Sequence, residues 1–95
     1  MPEHYVYVLL SLTDGMLYVG YTSNLERRIS EHHRDNSKST SSRRPLRLIF
    51  YECYLSKADA MRREEYFKTS AGKRVLRLML KESLSAALNC AESEG

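Results

Sequence analysis

The feature that most constrains this chain is a pair of tyrosine-rich, β-branched segments split by an Asp-Gly turn. Residues 4–11 read His-Tyr-Val-Tyr-Val-Leu-Leu-Ser, and Leu17 to Tyr21 comes after Thr13-Asp14-Gly15. Aromatic and β-branched residues suit a pleated, half-buried surface. Asp-Gly tolerates the left-handed backbone that a tight hairpin turn demands. The chain is therefore expected to open with a β-hairpin. Closing it around Asp14-Gly15, with paired residue numbers summing to about 29, puts Tyr7, Leu9 and Ser11 on the same face as Tyr18, Gly20 and Thr22. A one-residue slip would reverse that placement. Tyrosines in a hairpin can be no more than sheet packing, so the residues downstream of the hairpin have to decide.

Thr22-Ser23-Asn24 offers helix caps, and Leu25, Ile29 and His32 come at helical spacing, which predicts a first helix over 24–34. Asp35 to Ser42 is a polar, Ser-rich loop that also carries Lys38 and is closed by Pro45. Leu46 to Leu55 reads as a third strand, with Leu46, Leu48 and Phe50 on one face and Arg47, Ile49 and Tyr51 on the other. Ser56 can cap a second helix whose stripe is Ala60, Met61, Glu64 and Phe67, with Arg62, Arg63 and Glu65 outward or at the rim. Gly72 is expected to break that helix near its end. A third helix should span Lys73 to Leu80, with 81–89 as a possible extension. The fold class is α+β: a three-stranded, mostly antiparallel sheet flanked by helices, in the order β-β-α-β-α-α. One domain over 1–90 and a frayed acidic tail over 91–95 complete the layout.

Charge and composition narrow the function classes. With 95 residues and 42% hydrophobic content, one core is feasible without cross-links. No apolar run reaches the roughly 18–20 residues of a membrane span. No charged-then-apolar leader opens the sequence, so a cytoplasmic location is expected. Cys53 and Cys90 lack metal-binding spacing and read as free thiols. Net charge is only +3, but Arg27, Arg28, Arg34, Lys38, Arg43, Arg44 and Arg47 face only Glu31 and Asp35 within one stretch. Such an excess fits a surface that meets a polyanion, or an ordinary solvated face. Charge alone does not separate the two.

Arg28 and His32 are i and i+4 on the first helix, so they are neighbours on one stripe. Leu25 precedes Arg28 by three residues on the sheet-packing side, which puts Arg28 at the helix–sheet edge. There its guanidinium can clamp a phosphate through two N–H groups, and His32 can exchange a proton with the same group. Glu64 lies on the apolar stripe between Met61 and Phe67. A carboxylate there costs desolvation unless it is ion-paired, with Arg28 as one candidate partner, or holds a cation such as Mg²⁺. Gly20 leaves space above its strand where a phosphate could approach.

Taken in order, these motifs resemble a known family. Tyr5-Val6-Tyr7, Tyr18-Val19-Gly20, the run Thr22-Ser23-Asn24-Leu25-Glu26-Arg27-Arg28-Ile29-Ser30-Glu31-His32, and Ala60 to Lys68 around Glu64 resemble the GIY-YIG nuclease domain over about residues 4–80. The resemblance is to its small stand-alone bacterial members. It implies an endonuclease that hydrolyses DNA phosphodiesters with Mg²⁺, or in its place Mn²⁺. In that reading Tyr18 is the general base and Tyr7 orients the site. Arg28 steadies phosphate charge, His32 assists proton transfer, and Glu64 holds the metal. Tyr5 stands where the family has glycine, Val6 and Val19 where it has isoleucine, and the loop after the first helix lacks the histidine of some members.

A metal and a neighbouring arginine would help a phenol ionise near neutral pH. DNA, duplex or branched, is the expected partner, with no small-molecule cofactor; oligomeric state is left open. Arg27, Arg34, Lys38, Arg43, Arg44 and Lys68 are the expected DNA contacts. Cutting is expected to be structure-selective or weakly sequence-specific, in repair or recombination. The alternative is a module on the same fold that binds nucleic acid with little or no cleavage.

Overall fold

A computed structural model describes residues 3–33 and 45–94, with side chains to residue 89. Its elements are β1 (His4–Ser11), β2 (Leu17–Thr22), α1 (Leu25–His33), β3 (Leu46–Tyr54), α2 (Lys57–Lys68), α3 (Ser70–Met79) and α4 (Lys81–Glu94). The sheet is antiparallel throughout, in the order β2-β1-β3. The expected α+β class is found, with one more helix than the sequence suggested. Arg34, Lys38, Arg43 and Arg44 lie outside the described residues.

The central strand explains its own composition. From Val6 to Ser11 every residue of β1 is buried, as a strand covered on both faces must be. Val6, Val8 and Leu10 point toward α2, α3 and α4, where Leu17, Ala60, Phe67, Leu76, Leu80 and Ala87 complete the main core. Tyr7 and Leu9 point the other way and join Leu46, with Tyr18, Leu25, Ile29 and Leu48 packed around them. Asn24 fixes the start of α1 by accepting from Arg27 N–H at 3.0 Å.

The register differs from expectation by two residues: Tyr7 faces Gly20 and Leu9 faces Tyr18. The cause is a wider hairpin loop. The Ser11 hydroxyl accepts from the N–H groups of Thr13 and Asp14, both at 3.2 Å. The Ser11 carbonyl accepts from Gly15 N–H at 2.9 Å. Gly15 takes the left-handed φ of +73° that the Asp-Gly pair foretold. Because the shift is even, the shared face of Tyr7 and Tyr18 survives.

Three further expectations are corrected. Strict alternation in β3 fails: a bulge opposite Val8 and Leu9 brings Phe50 to Val8 but Leu48 to Leu9. Leu46 and Leu48 pack beneath α1, while Ile49 and Phe50 pack against the main core. Gly72 does not end α2. Thr69 does, as the C-cap of α2 and the N-cap of α3, and its hydroxyl accepts from Gly72 N–H at 3.0 Å. A Cβ at Gly72 would lie 2.0 Å from Tyr66 O, so glycine permits the close turn between the helices. Residues 81–89 do not extend α3; they begin the separate helix α4. The chain turns at buried Leu80, which lets Leu84 and Ala87 of α4 reach the main core.

Candidate active site

Tyr7, Tyr18, Arg28, His32 and Glu64 were read from four separate stretches of sequence, and all five line one cleft of about 420 Å³. It opens at the β2 edge of the sheet, with α1 on one side and α2 and α3 on the other. β1 supplies Tyr7 and edge strand β2 supplies Tyr18. Arg28 and His32 descend from α1, one helical turn apart.

Tyr7 is the hub. Its hydroxyl accepts from Arg28 Nε at 3.2 Å and lies 3.1 Å from His32 Nε2. The arrangement is satisfied when Tyr7 donates to an unprotonated Nε2. The buried His32 favours that form. Burial pushes its imidazole below the ordinary value, and the charge of Arg28 adds to the effect against an opposing pull from Glu31. Arg28 also donates from Nη1 to Glu31 Oε1 at 3.0 Å. Its guanidinium is held charged first by the Tyr7 hydrogen bond.

Gly20 acts differently from expectation. A Cβ there would lie 2.3 Å from Tyr7 Oη and 2.4 Å from its Cζ. The space above Gly20 holds the Tyr7 ring, so the missing side chain admits the phenol and not a phosphate. Tyr5, on the same strand face, stays outside the cleft. Its hydroxyl donates to Glu3 at 2.5 Å, a bond that pushes the phenol up to about 12.

Glu64 sits on the wall opposite α1 with its side chain 13% exposed, paired to Lys68 Nζ at 3.1 Å. Its ion-pair partner is thus Lys68; Arg28 is engaged by Glu31 instead. Lys68, expected as a DNA contact, comes into the cleft. Arg27 stays outside it, 68% exposed.

Three residues of the site were not singled out from sequence. Lys73 lines the cleft and donates to Leu17 O at 2.8 Å. Burial first, then Arg77 and Lys68, lowers its ammonium below the usual lysine value. The available signal was its place three residues before buried Leu76 on α3. Glu31 was detectable from its i, i+3 spacing to Arg28. Asp14 accepts from Tyr18 Oη at 3.3 Å, and only the turn role of Asp14 was legible.

Residues 3–76 match the GIY-YIG catalytic domain. The chain belongs to the GIY-YIG family. It is similar to a UPF0213 protein of Staphylococcus haemolyticus, 41% identical over 80 residues that cover 83% of this chain and 96% of that one. A UPF0213 protein of Bacillus licheniformis is 46% identical over 67 residues, covering 70% and 68%. The solution NMR structure of a UPF0213 protein from Bacillus halodurans superposes with a TM-score of 0.52 at 38% identity, covering 81% of this chain and 84% of that one. GIY-YIG membership makes this a nuclease-family domain. Among the described residues no helix is long and apolar enough to cross a membrane.

Proposed function

We propose that this GIY-YIG chain is a divalent-cation-dependent endonuclease that hydrolyses DNA phosphodiester bonds. The observation that carries the reading is the Arg28–Tyr7–His32 hydrogen-bonded triad, set in one cleft with Tyr18 and Glu64. Tyr18, which lines the cleft, takes a proton from the attacking water in this reading. Arg28 neutralises charge on the phosphate, and its hold on Tyr7 and Glu31 limits its freedom to reorient. His32, neutral and buried, fixes the Tyr7 phenol. Lys68 is exposed enough to turn from Glu64 to a phosphate oxygen.

The donor set fits a magnesium-like ion. Among the described residues no three His, Cys, Asp or Glu side chains converge. A cation held in the cleft would have Glu64 as its protein carboxylate and fill its shell with water and phosphate oxygens, which is the habit of Mg²⁺. When bound, such an ion supplies charge neutralisation at the leaving oxygen. The cationic groups of the cleft are suited to phosphates, and the reading we favour is structure-selective or weakly specific cutting. Repair or recombination intermediates are the substrates of choice under this reading.

The test is nicking of supercoiled plasmid and of duplex, flap and branched oligonucleotides with Mg²⁺, Mn²⁺ or EDTA. Cleavage should need the cation and vanish in Glu64→Gln, with DNA binding retained. Tight binding with no cleavage by the wild type would leave a nucleic-acid-binding module; undiminished cleavage by Glu64→Gln would remove the carboxylate from its role.

A further inference from the structure

The loop between β1 and β2 is built more heavily than a hairpin needs. Two residues suffice to join antiparallel strands, yet here residues 12–16 form the connection, and it is tied from several directions. The Ser11 side chain, fully buried, receives two loop N–H groups. Lys73 reaches from α3 to Leu17 O at 2.8 Å, and Arg77, one turn later, reaches Gly15 O at 3.1 Å. These bonds bracket Asp14. In its carboxylate, Oδ1 accepts from Met16 N–H at 2.9 Å, and Oδ2 accepts from the Tyr18 hydroxyl at 3.3 Å.

We propose that Asp14 is a positioning residue for Tyr18 that turns the phenol proton out of the cleft and receives it during hydrolysis. The proposal rests on Tyr18 being the base. A phenol accepts a proton from water only through an oxygen lone pair, so its own hydrogen must point elsewhere. Asp14 provides that direction from outside the cleft, on an exposed loop. The contact is at the long end of hydrogen-bond range, and such bonds often tighten only when substrate arrives.

As the water oxygen bonds to phosphorus, its proton passes to Tyr18 Oη while the phenol's own proton moves to Asp14 Oδ2. The bond from phosphorus to the leaving sugar oxygen breaks, and its electron pair goes to that oxygen, which takes a proton from solvent. Asp14, exposed, returns its proton to bulk water.

Asp14→Asn is the discriminating variant. Its amide oxygen can still accept from Met16 N–H, so the turn is kept, while an NH₂ replaces the acceptor facing Tyr18. Thermal stability should stay within error of wild type. The turnover rate should fall on the order of tenfold to a hundredfold with KM unchanged. Asp14→Asn in a Tyr18→Phe background should cost nothing further, because the aspartate acts through the phenol. Wild-type turnover in Asp14→Asn, or losses that multiply in the double variant, would overturn the proposal. A readout independent of cleavage is the tyrosine Cζ resonance of ¹³C-labelled protein, assigned by its loss in Tyr18→Phe. That signal should shift as the Asp14 carboxylate protonates in the wild type and stay flat in Asp14→Asn. A wild type that cuts no DNA would remove the nuclease reading, and a flat wild-type resonance would remove Asp14's hold on the phenol.

Discussion

Val6, Val8 and Leu10 leave one face of β1, and Tyr7, Leu9 and Ser11 leave the other, into very different company. The first set meets α2, α3 and α4 in a core of aliphatic and aromatic carbon. The second meets one short helix and a thin cluster whose largest buried member, Tyr7, carries a hydroxyl bonded to Arg28 and His32. One strand therefore separates the apolar core from the face that carries the hydrogen-bonded Tyr7, Arg28 and His32. Polar groups can be desolvated on the thin side because the thick side supplies the stability.

The largest test of that division is Phe67→Ala. Phe67 is fully buried and packs edge-on against Phe50 with ring centroids 6.2 Å apart. Truncation should cost about 3–5 kcal/mol in denaturant unfolding. A loss below about 1 kcal/mol would mean the thick side is not the stabilising one.

Next comes Tyr18→Phe, which keeps the ring and removes the hydroxyl. It should cut the cleavage rate on the order of 10²-fold to 10³-fold with an unchanged melting temperature. A fully active variant would return Tyr18 to sheet filling.

Gly20→Ala probes the border between the two regions. The new methyl collides with the Tyr7 ring, so about 1–3 kcal/mol of stability should go, with activity falling as the phenol is displaced. Loss of stability without loss of activity would separate ring packing from chemistry.

A smaller effect concerns pH. The folded-state value of His32 is lowered, so the unfolded chain binds its proton first as pH falls. Stability should be fully present above the ordinary histidine value, about 6.5, and decline as pH drops from there toward the folded value. Urea midpoints measured across that range for wild type and His32→Gln check the sign, since the variant should lack this slope.

Arg27→Ala should be the smallest. Exposed and 3.9 Å from Glu31, it should change stability by less than about 0.5 kcal/mol, while flattening the salt dependence of DNA binding by about one unit of slope.

Much of this division was legible in residue patterns. The composition of residues 4–11 gave the strand, and helical spacing placed Arg28 beside His32 at the sheet edge. Glu64 stood out as a carboxylate on an apolar stripe. What was hidden depended on distance in three dimensions. The reach of Lys73 to Leu17 O joins residues 56 positions apart, and no local pattern encodes it. The bulge in β3 arises from pairing with β1, where Leu48 and Phe50 look like partners in one alternation. Gly20 was recognised as a gap, but only the packed ring shows that Tyr7 fills it.

Thr69 closes α2 with its backbone and opens α3 with its hydroxyl. Because one residue serves both ends, neither helix can fray at this junction without loosening the other. Amide exchange should therefore report α2 and α3 as a single cooperative unit. Glu64 on one helix and Lys73 on the other would then share one opening rate, and the cleft wall they form would come and go as a whole.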